Sequence, residues 1–138
     1  MNVTIIYWSG TGNTEAMANY IKEGAEEQGN LVSIKEVYNA SMEDVEACDV
    51  LVLGCPSMGA EVLEESSFQP FFDETLPNLG GKQVELFGSY DWGDGQWMRD
   101  WSDTIASVGA LQSQESLIVN NTPVGDDIQK CLDFGKNI

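Results

Sequence analysis

Histidine is absent from the 138 residues, and only six lysines and arginines stand against 23 aspartates and glutamates, a formal net charge of −17. The first absence removes the commonest general acid–base side chain. The second removes the cationic surface that nucleic acid or an anionic membrane needs, so neither is an expected partner. Three cysteines, Cys48, Cys55 and Cys131, leave an odd count and form no Cys-x-x-Cys pair. Without histidine beside them they argue against a zinc or iron–sulfur site, and each is expected as a reduced, buried, small apolar side chain. No apolar run is long enough to cross a bilayer, and no basic, apolar segment opens the chain, so cytoplasmic residence is the expectation. Repeats, linkers and low-complexity stretches are also lacking.

What is present is an ordinary globular composition, 42% hydrophobic over 138 residues, which fits a single domain, 1–138, able to bury a core without disulfides or metals. The strong acidity favours basic protein partners found by electrostatic steering; solubility or life in salt would explain it equally.

Along the chain, apolar runs and helical spacings alternate five times. Val3-Thr4-Ile5-Ile6-Tyr7-Trp8 reads as a buried strand. From Thr14 to Gln28, Met17, Tyr20, Ile21, Gly24 and Ala25 share one helical face, with Gly29 placed to cap it. Leu31–Val37 reads as a strand with imperfect alternation, suited to an edge. Ser41 and Asp44 resemble a capping box opening a short helix. Asp49–Gly54 holds the continuous apolar run of a buried parallel strand. Cys55–Ser67 is a loop, and Phe68, Phe71, Phe72 and Leu76 mark a helix with Pro70 in its first turn. Gln83–Gly88 is the fourth strand and Ser89–Gly95 a second loop. Trp97, Trp101, Ile105 and Val108 stripe a helix ending at Gly109. A fifth strand lies within Ala110–Asn120, and Asp126–Lys136 is a helix with Ile128, Cys131, Leu132 and Gly135 inward. Such alternation predicts a doubly wound α/β domain with a parallel sheet and helices on both faces.

The loop Ser9-Gly10-Thr11-Gly12-Asn13-Thr14 joins the first strand to the first helix. A helix start presents unpaired N–H donors and the positive end of the dipole, the glycines let the backbone close around an anion, and four side chains add donors. It lacks the Gly-Lys-Ser/Thr of a nucleoside-triphosphate loop and the third glycine of a dinucleotide loop. With no cation, it suits a terminal monophosphate. In doubly wound sheets ligands sit outside the carboxyl ends of the strands, where two more loops emerge. Cys55-Pro56-Ser57-Met58-Gly59-Ala60-Glu61 offers a soft thioether for a π face, and Ser89-Tyr90-Asp91-Trp92-Gly93-Asp94-Gly95 offers aromatic rings for stacking.

Tyr7-Trp8-Ser9-Gly10-Thr11-Gly12-Asn13-Thr14-Glu15, with the Met58-Gly59-Ala60-Glu61 turn and Gly88-Ser89-Tyr90-Asp91-Trp92-Gly93-Asp94-Gly95, resembles the flavodoxins, the short-chain clostridial type in particular. The resemblance runs over nearly the whole chain. It implies the flavodoxin-like fold, a five-stranded parallel sheet in the order 2-1-3-4-5. It also implies non-covalently bound FMN and a soluble, low-potential electron carrier that is not an enzyme. The redox partners would be reductases and oxidoreductases with basic surfaces, and the carrier a monomer. Carried over, Ser9, Gly10, Thr11, Gly12, Asn13 and Thr14 would hold the phosphate. Met58 and Trp92 would sandwich the ring, with Pro56, Ser57, Gly59, Ala60, Tyr90, Asp91 and Gly93 shaping its loops. Glu61 would accept from the ring N3–H, and Ser89 and Asn121 would reach the ribityl chain.

Three residues depart from that family's pattern. Ala60 occupies a place where relatives carry Gly, Asp, Asn or Ser. If the turn flips to type II on reduction, Ala60 takes a positive φ and weakens the first reduction step. Asp91 replaces a glycine and would depress the second. Glu85 falls inside the fourth strand, where the expected resolution is a position near the strand start with access to water. Two rival readings exist on this topology. An FMN-dependent NAD(P)H or quinone oxidoreductase would need a substrate pocket, yet Met58 and Trp92 would cover both ring faces. A signalling receiver would need an acidic cluster at the end of the first strand, where Trp8-Ser9 stands.

Overall fold

A computed structural model describes all residues, 1–138. The strands are β1 (Asn2–Tyr7), β2 (Leu31–Glu36), β3 (Val50–Gly54), β4 (Gln83–Tyr90) and β5 (Leu117–Asn120), and the helices α1 (Asn13–Glu27), α2 (Met42–Ala47), α3 (Phe68–Thr75), α4 (Gln96–Ser107) and α5 (Asp126–Lys136). All pairings are parallel and the order is β2-β1-β3-β4-β5. This is the order that the family resemblance implied. No helix is long and apolar enough to cross a membrane.

Strand alternation sorts the core into two layers. Val3, Ile5, Tyr7, Val50, Val52 and Phe87 face α1 and α5, meeting Met17, Ala18, Ile21, Cys131 and Phe134. Ile6, Leu51, Leu53, Val84 and Leu86 face the other side and meet Val45, Phe68, Phe72, Trp97, Trp101 and Ile105. All five residues of β3 are buried, as a central parallel strand covered on both faces requires. Between α1 and α5 the backbones nearly touch. A Cβ on Gly24 would lie 2.0 Å from the Leu132 carbonyl oxygen, and one on Gly135 would lie 2.1 Å from that of Ile21. These two glycines are therefore what lets the helices seat side by side.

Local chemistry ends the elements where expected. Gly29 takes φ 86° just past α1, and the Ser41–Asp44 capping box is complete. Lys35 donates to Asp44 at 2.9 Å and, with the Ser41 contacts, holds that carboxyl below its usual range. All three cysteines are free and buried.

Two expectations change. The fourth strand runs on through Ser89 and Tyr90, because β5 pairs with it there: Ser89 is in register with Val119 and Tyr90 with Asn120. Nor does Glu85 reach water; it is wholly buried (0% exposed). The reason is a break in the last strand. Leu111 bridges Gln83, but regular pairing resumes only at Leu117, and the intervening chain turns its donors onto the carboxylate. Glu85 accepts from the Ser113 hydroxyl (2.6 Å), the Ser113 amide (3.1 Å), the Gln114 amide (3.4 Å) and Gln83 Nε2 (2.9 Å). A buried carboxylate is tolerated when its lone pairs are filled in this way.

Candidate functional site

The carboxyl ends of β1, β3, β4 and β5 release four segments to one edge of the sheet, and they enclose a cleft of about 320 Å³. Its walls are Trp8, Gly10, Thr11, Asn13, Pro56, Ser57, Met58, Ser89, Tyr90, Asp91 and Asn121, with no lysine or arginine among them. A wider groove of about 780 Å³ runs between α4 and residues 112–116. It shares none of the cleft's walls, and its lining mixes both charges with mostly polar groups.

The first segment is set by Ser9 and Gly12. Gly12 stands before α1 at φ 96°, left-handed backbone that favours glycine, and offers no side-chain cap. Ser9 Oγ accepts from the amides of Gly12 and Glu15, each at 3.2 Å. The amides of Gly10, Thr11, Asn13 and Thr14 make no hydrogen bond within the chain. A helix start with several free donors and no competing cap is an anion seat. Thr14 is buried, with its hydroxyl 2.8 Å from that of Ser89. Tyr7 donates its phenol to Glu15 at 2.9 Å, and Thr122 donates to Asn13 Oδ1 at 2.7 Å.

In the second segment the Ser57 amide donates to the Ser89 carbonyl (3.0 Å), and Met58 and Val62 exchange backbone hydrogen bonds of 2.8 and 2.9 Å. The turn they close puts Gly59 at φ 51° and Glu61 at φ 56°, while Ala60 stays out of the left-handed region. In this conformation the strained L-residue is therefore Glu61, not Ala60. Glu61 Oε1 accepts from the Gln96 amide at the start of α4 (3.3 Å). It also packs on Gly93, where a Cβ would come within 2.4 Å of it. Behind the turn, Glu64 accepts from the amides of Ser66, Ser67 and Phe68 at 2.8, 2.7 and 2.8 Å. Burial pushes this carboxyl's pKa up, but the three amides outweigh it and hold the group below its usual range. Cys55 lies under the cleft, and burial pushes its thiol up to about 12, so it is no nucleophile.

The third segment starts on firm ground. Tyr90 packs on Trp97 with ring centroids 5.7 Å apart, and Trp97 Nε1 donates to the Cys55 carbonyl at 3.1 Å. Beyond it Trp92 is 57% exposed. Arg99 ties the loop's far end, donating to the Asp94 carbonyl (2.9 Å) and carboxylate (2.8 Å), and holds that carboxyl below its usual range. In the fourth segment Asn121, at φ 58°, donates its amide to the Tyr90 carbonyl at 2.8 Å.

The expected residues are thus brought to one edge but not all into one surface. Ser9, Gly12 and Thr14 build the first loop without lining the cleft. Gly59, Ala60, Glu61, Trp92 and Gly93 belong to the flanking loops and also lie outside its walls. Three further residues contribute to the site. Trp8 walls the cleft and donates from Nε1 to the Tyr38 hydroxyl at 2.8 Å; its place directly before Ser9 was the available signal. Thr122 and Glu64 act through contacts that no local pattern announces. As built, the site can seat a phosphomonoester on neutral donors at one end and a flat ring against thioether and aromatic groups at the other.

A sequence model of the family described as flavodoxin matches residues 5–135. The flavodoxin of Clostridium beijerinckii is 47% identical over 134 residues, covering 97% of this chain and 96% of that protein. The flavodoxin of Megasphaera elsdenii is 45% identical over the same coverage, 97% and 96%. The solution structure of the two-electron reduced Megasphaera elsdenii flavodoxin superposes with a TM-score of 0.89 at 43% identity, covering 98% of this chain and 96% of that one.

Proposed function

The chain belongs to the flavodoxin family and is a small FMN-binding electron-transfer protein, not an enzyme; on that premise we propose how its own residues serve the role. The whole chain, 1–138, acts as one domain. The free amides of Gly10, Thr11, Asn13 and Thr14 take the phosphate, with Ser9 holding the loop around it. Met58 and Trp92 cover the two faces of the ring, Glu61 accepts from its N3–H, and Ser89 and Asn121 flank the ribityl chain. Pro56, Ser57, Gly59, Ala60, Tyr90, Asp91 and Gly93 shape the loops. Bound FMN supplies the one-electron chemistry, and the protein sets its potentials.

The observation that carries this reading is the donor set: four unpartnered amides with no cation, next to Met58, Trp8 and Tyr90. A fixed row of dipoles suits a phosphomonoester, and apolar, polarisable walls suit an isoalloxazine. Trp92 is 57% exposed, and the second carboxylate oxygen of Glu61 has no partner within the chain while the first accepts from the Gln96 amide, so both groups are available to the ring.

The excess of 23 acidic over six basic residues opposes any added negative charge. One unit charge at about 10 Å and an effective dielectric of about 20 costs roughly 1.7 kcal/mol before screening. A low second potential follows, as does steering toward basic surfaces on reductases and oxidoreductases. The carrier works as a cytoplasmic monomer. An FMN-dependent NAD(P)H or quinone oxidoreductase is not favoured by the relatives it resembles.

Titration of the apoprotein with FMN and with riboflavin tests the phosphate seat. Several charge-assisted hydrogen bonds predict FMN binding tighter by about two orders of magnitude or more. Equal affinities would refute the assignment.

A further inference from the structure

Glu15 is the third residue of α1, whose N-cap is Gly12. A glutamate at this position can reach back to the N-cap amide, the half of a capping box that needs no side chain on the N-cap. A carboxylate there would also be drawn by the helix dipole. In this chain that reach would carry it into the ring of free amides assigned above to the phosphate. It does not go there. Its Oε2 accepts from the Tyr7 phenol at 2.9 Å, and the Gly12 amide is filled by Ser9 Oγ at 3.2 Å instead. Glu15 is held at both ends, since its own amide also donates to Ser9 Oγ.

We propose that the Tyr7–Glu15 contact is a clasp that keeps an internal carboxylate from competing with the cofactor's phosphate. Tyr7 is then a positioning residue for the anion seat. The geometry suits the task. Tyr7 ends β1 and is 6% exposed, so its ring is fixed by the core while its hydroxyl meets the first turn of α1. Burial first, then Glu15 and Glu36, raise the phenol's pKa well above its ordinary value, so it stays a donor at any working pH. With the hydroxyl gone, Glu15 would be free to turn toward the Gly12 end of the helix. There it would occupy donors and repel the incoming dianion.

The inference rests on the phosphate seat proposed for Ser9–Thr14. Its test compares wild type, Tyr7→Phe and Tyr7→Phe/Glu15→Gln, each as apoprotein. Flavin fluorescence gives the affinities for FMN and riboflavin, and thermal shift gives protection by inorganic phosphate. Tyr7→Phe is expected to weaken FMN by about fivefold, the scale of a charge at a helix terminus. Phosphate protection should fall with it while riboflavin affinity holds. Adding Glu15→Gln should restore FMN binding, because the competitor is neutral. Equal losses for FMN and riboflavin would overturn the clasp as general loosening, as would a Tyr7→Phe variant unrescued by Glu15→Gln or unchanged from wild type. A wild type that binds riboflavin as tightly as FMN would overturn the seat and the clasp together.

Discussion

The hydroxyls of Thr14 and Ser89, 75 positions apart in sequence, lie 2.8 Å from each other in the buried floor of the site. The contact joins the first turn of α1 to the end of β4. Because the Ser89 carbonyl also accepts from the Ser57 amide at 3.0 Å, one residue fixes three loops. Removing either hydroxyl strands the other in a buried position. Ser89→Ala and Thr14→Val should each cost the apoprotein about 1–3 kcal/mol in urea unfolding. Because each loss includes the same broken pair, the double variant should lose less than the sum, by about 0.5 kcal/mol or more. Strict additivity would show that the two do not act as a pair.

The turn after Met58 holds its left-handed backbone at Gly59 and Glu61. If reduction turns the Gly59–Ala60 peptide over into a type II turn, the positive φ passes to Ala60, which pays roughly 1 kcal/mol that glycine would not. Ala60→Gly should therefore raise the first one-electron potential by roughly 40 mV, the equivalent of about 1 kcal/mol for one electron. An unmoved potential in a redox titration would reject strain at this position.

Asp91 is an exposed carboxylate in the wall of the cleft. The second electron adds negative charge to the site, and a nearby carboxylate opposes it. Asp91→Gly should raise the second potential by roughly tens of millivolts, less at high salt because the group is open to solvent. A shift of the first couple alone would contradict the electrostatic account.

Glu64 caps the start of α3 from outside, collecting three amides. Its folded pKa lies below the usual value. The unfolded chain therefore takes up this proton first as pH falls. The carboxylate's stabilisation is complete above about pH 4.3, the ordinary glutamate value, and is lost as pH drops through the lower folded one. Glu64→Gln should destabilise the protein by about 1–2 kcal/mol at neutral pH. Its unfolding midpoint should also fall less steeply than wild type below about pH 4.3. Parallel acid profiles would show that Glu64 is not a source of the acid sensitivity.

Much of this molecule is legible locally. The continuous apolar run Val50–Leu53 is typical of a buried parallel strand, the imperfect alternation of Leu31–Val37 marks an edge, and Gly29 stops a helix because of its own backbone freedom. The strand order came from resemblance, since alternation alone does not choose it. What could not be read depends on partners far along the chain. Ser89 and Tyr90 look like loop residues until β5 pairs with them. Glu85 looks misplaced until a break in β5 brings Ser113 and Gln114 to it. At the site, the glycine- and hydroxyl-rich loop announces an anion seat. The parking of Glu61 on the Gln96 amide and the Trp8–Tyr38 pair do not show in any motif.

A protein that grips FMN and moves its electrons one at a time is tested most directly by stepwise reduction of its FMN-loaded form, followed through the visible spectrum against a reference potential. Two separate one-electron steps, the second at markedly lower potential, are expected. A folded protein that stays colourless in excess FMN, or one that takes both electrons in a single step, would contradict it.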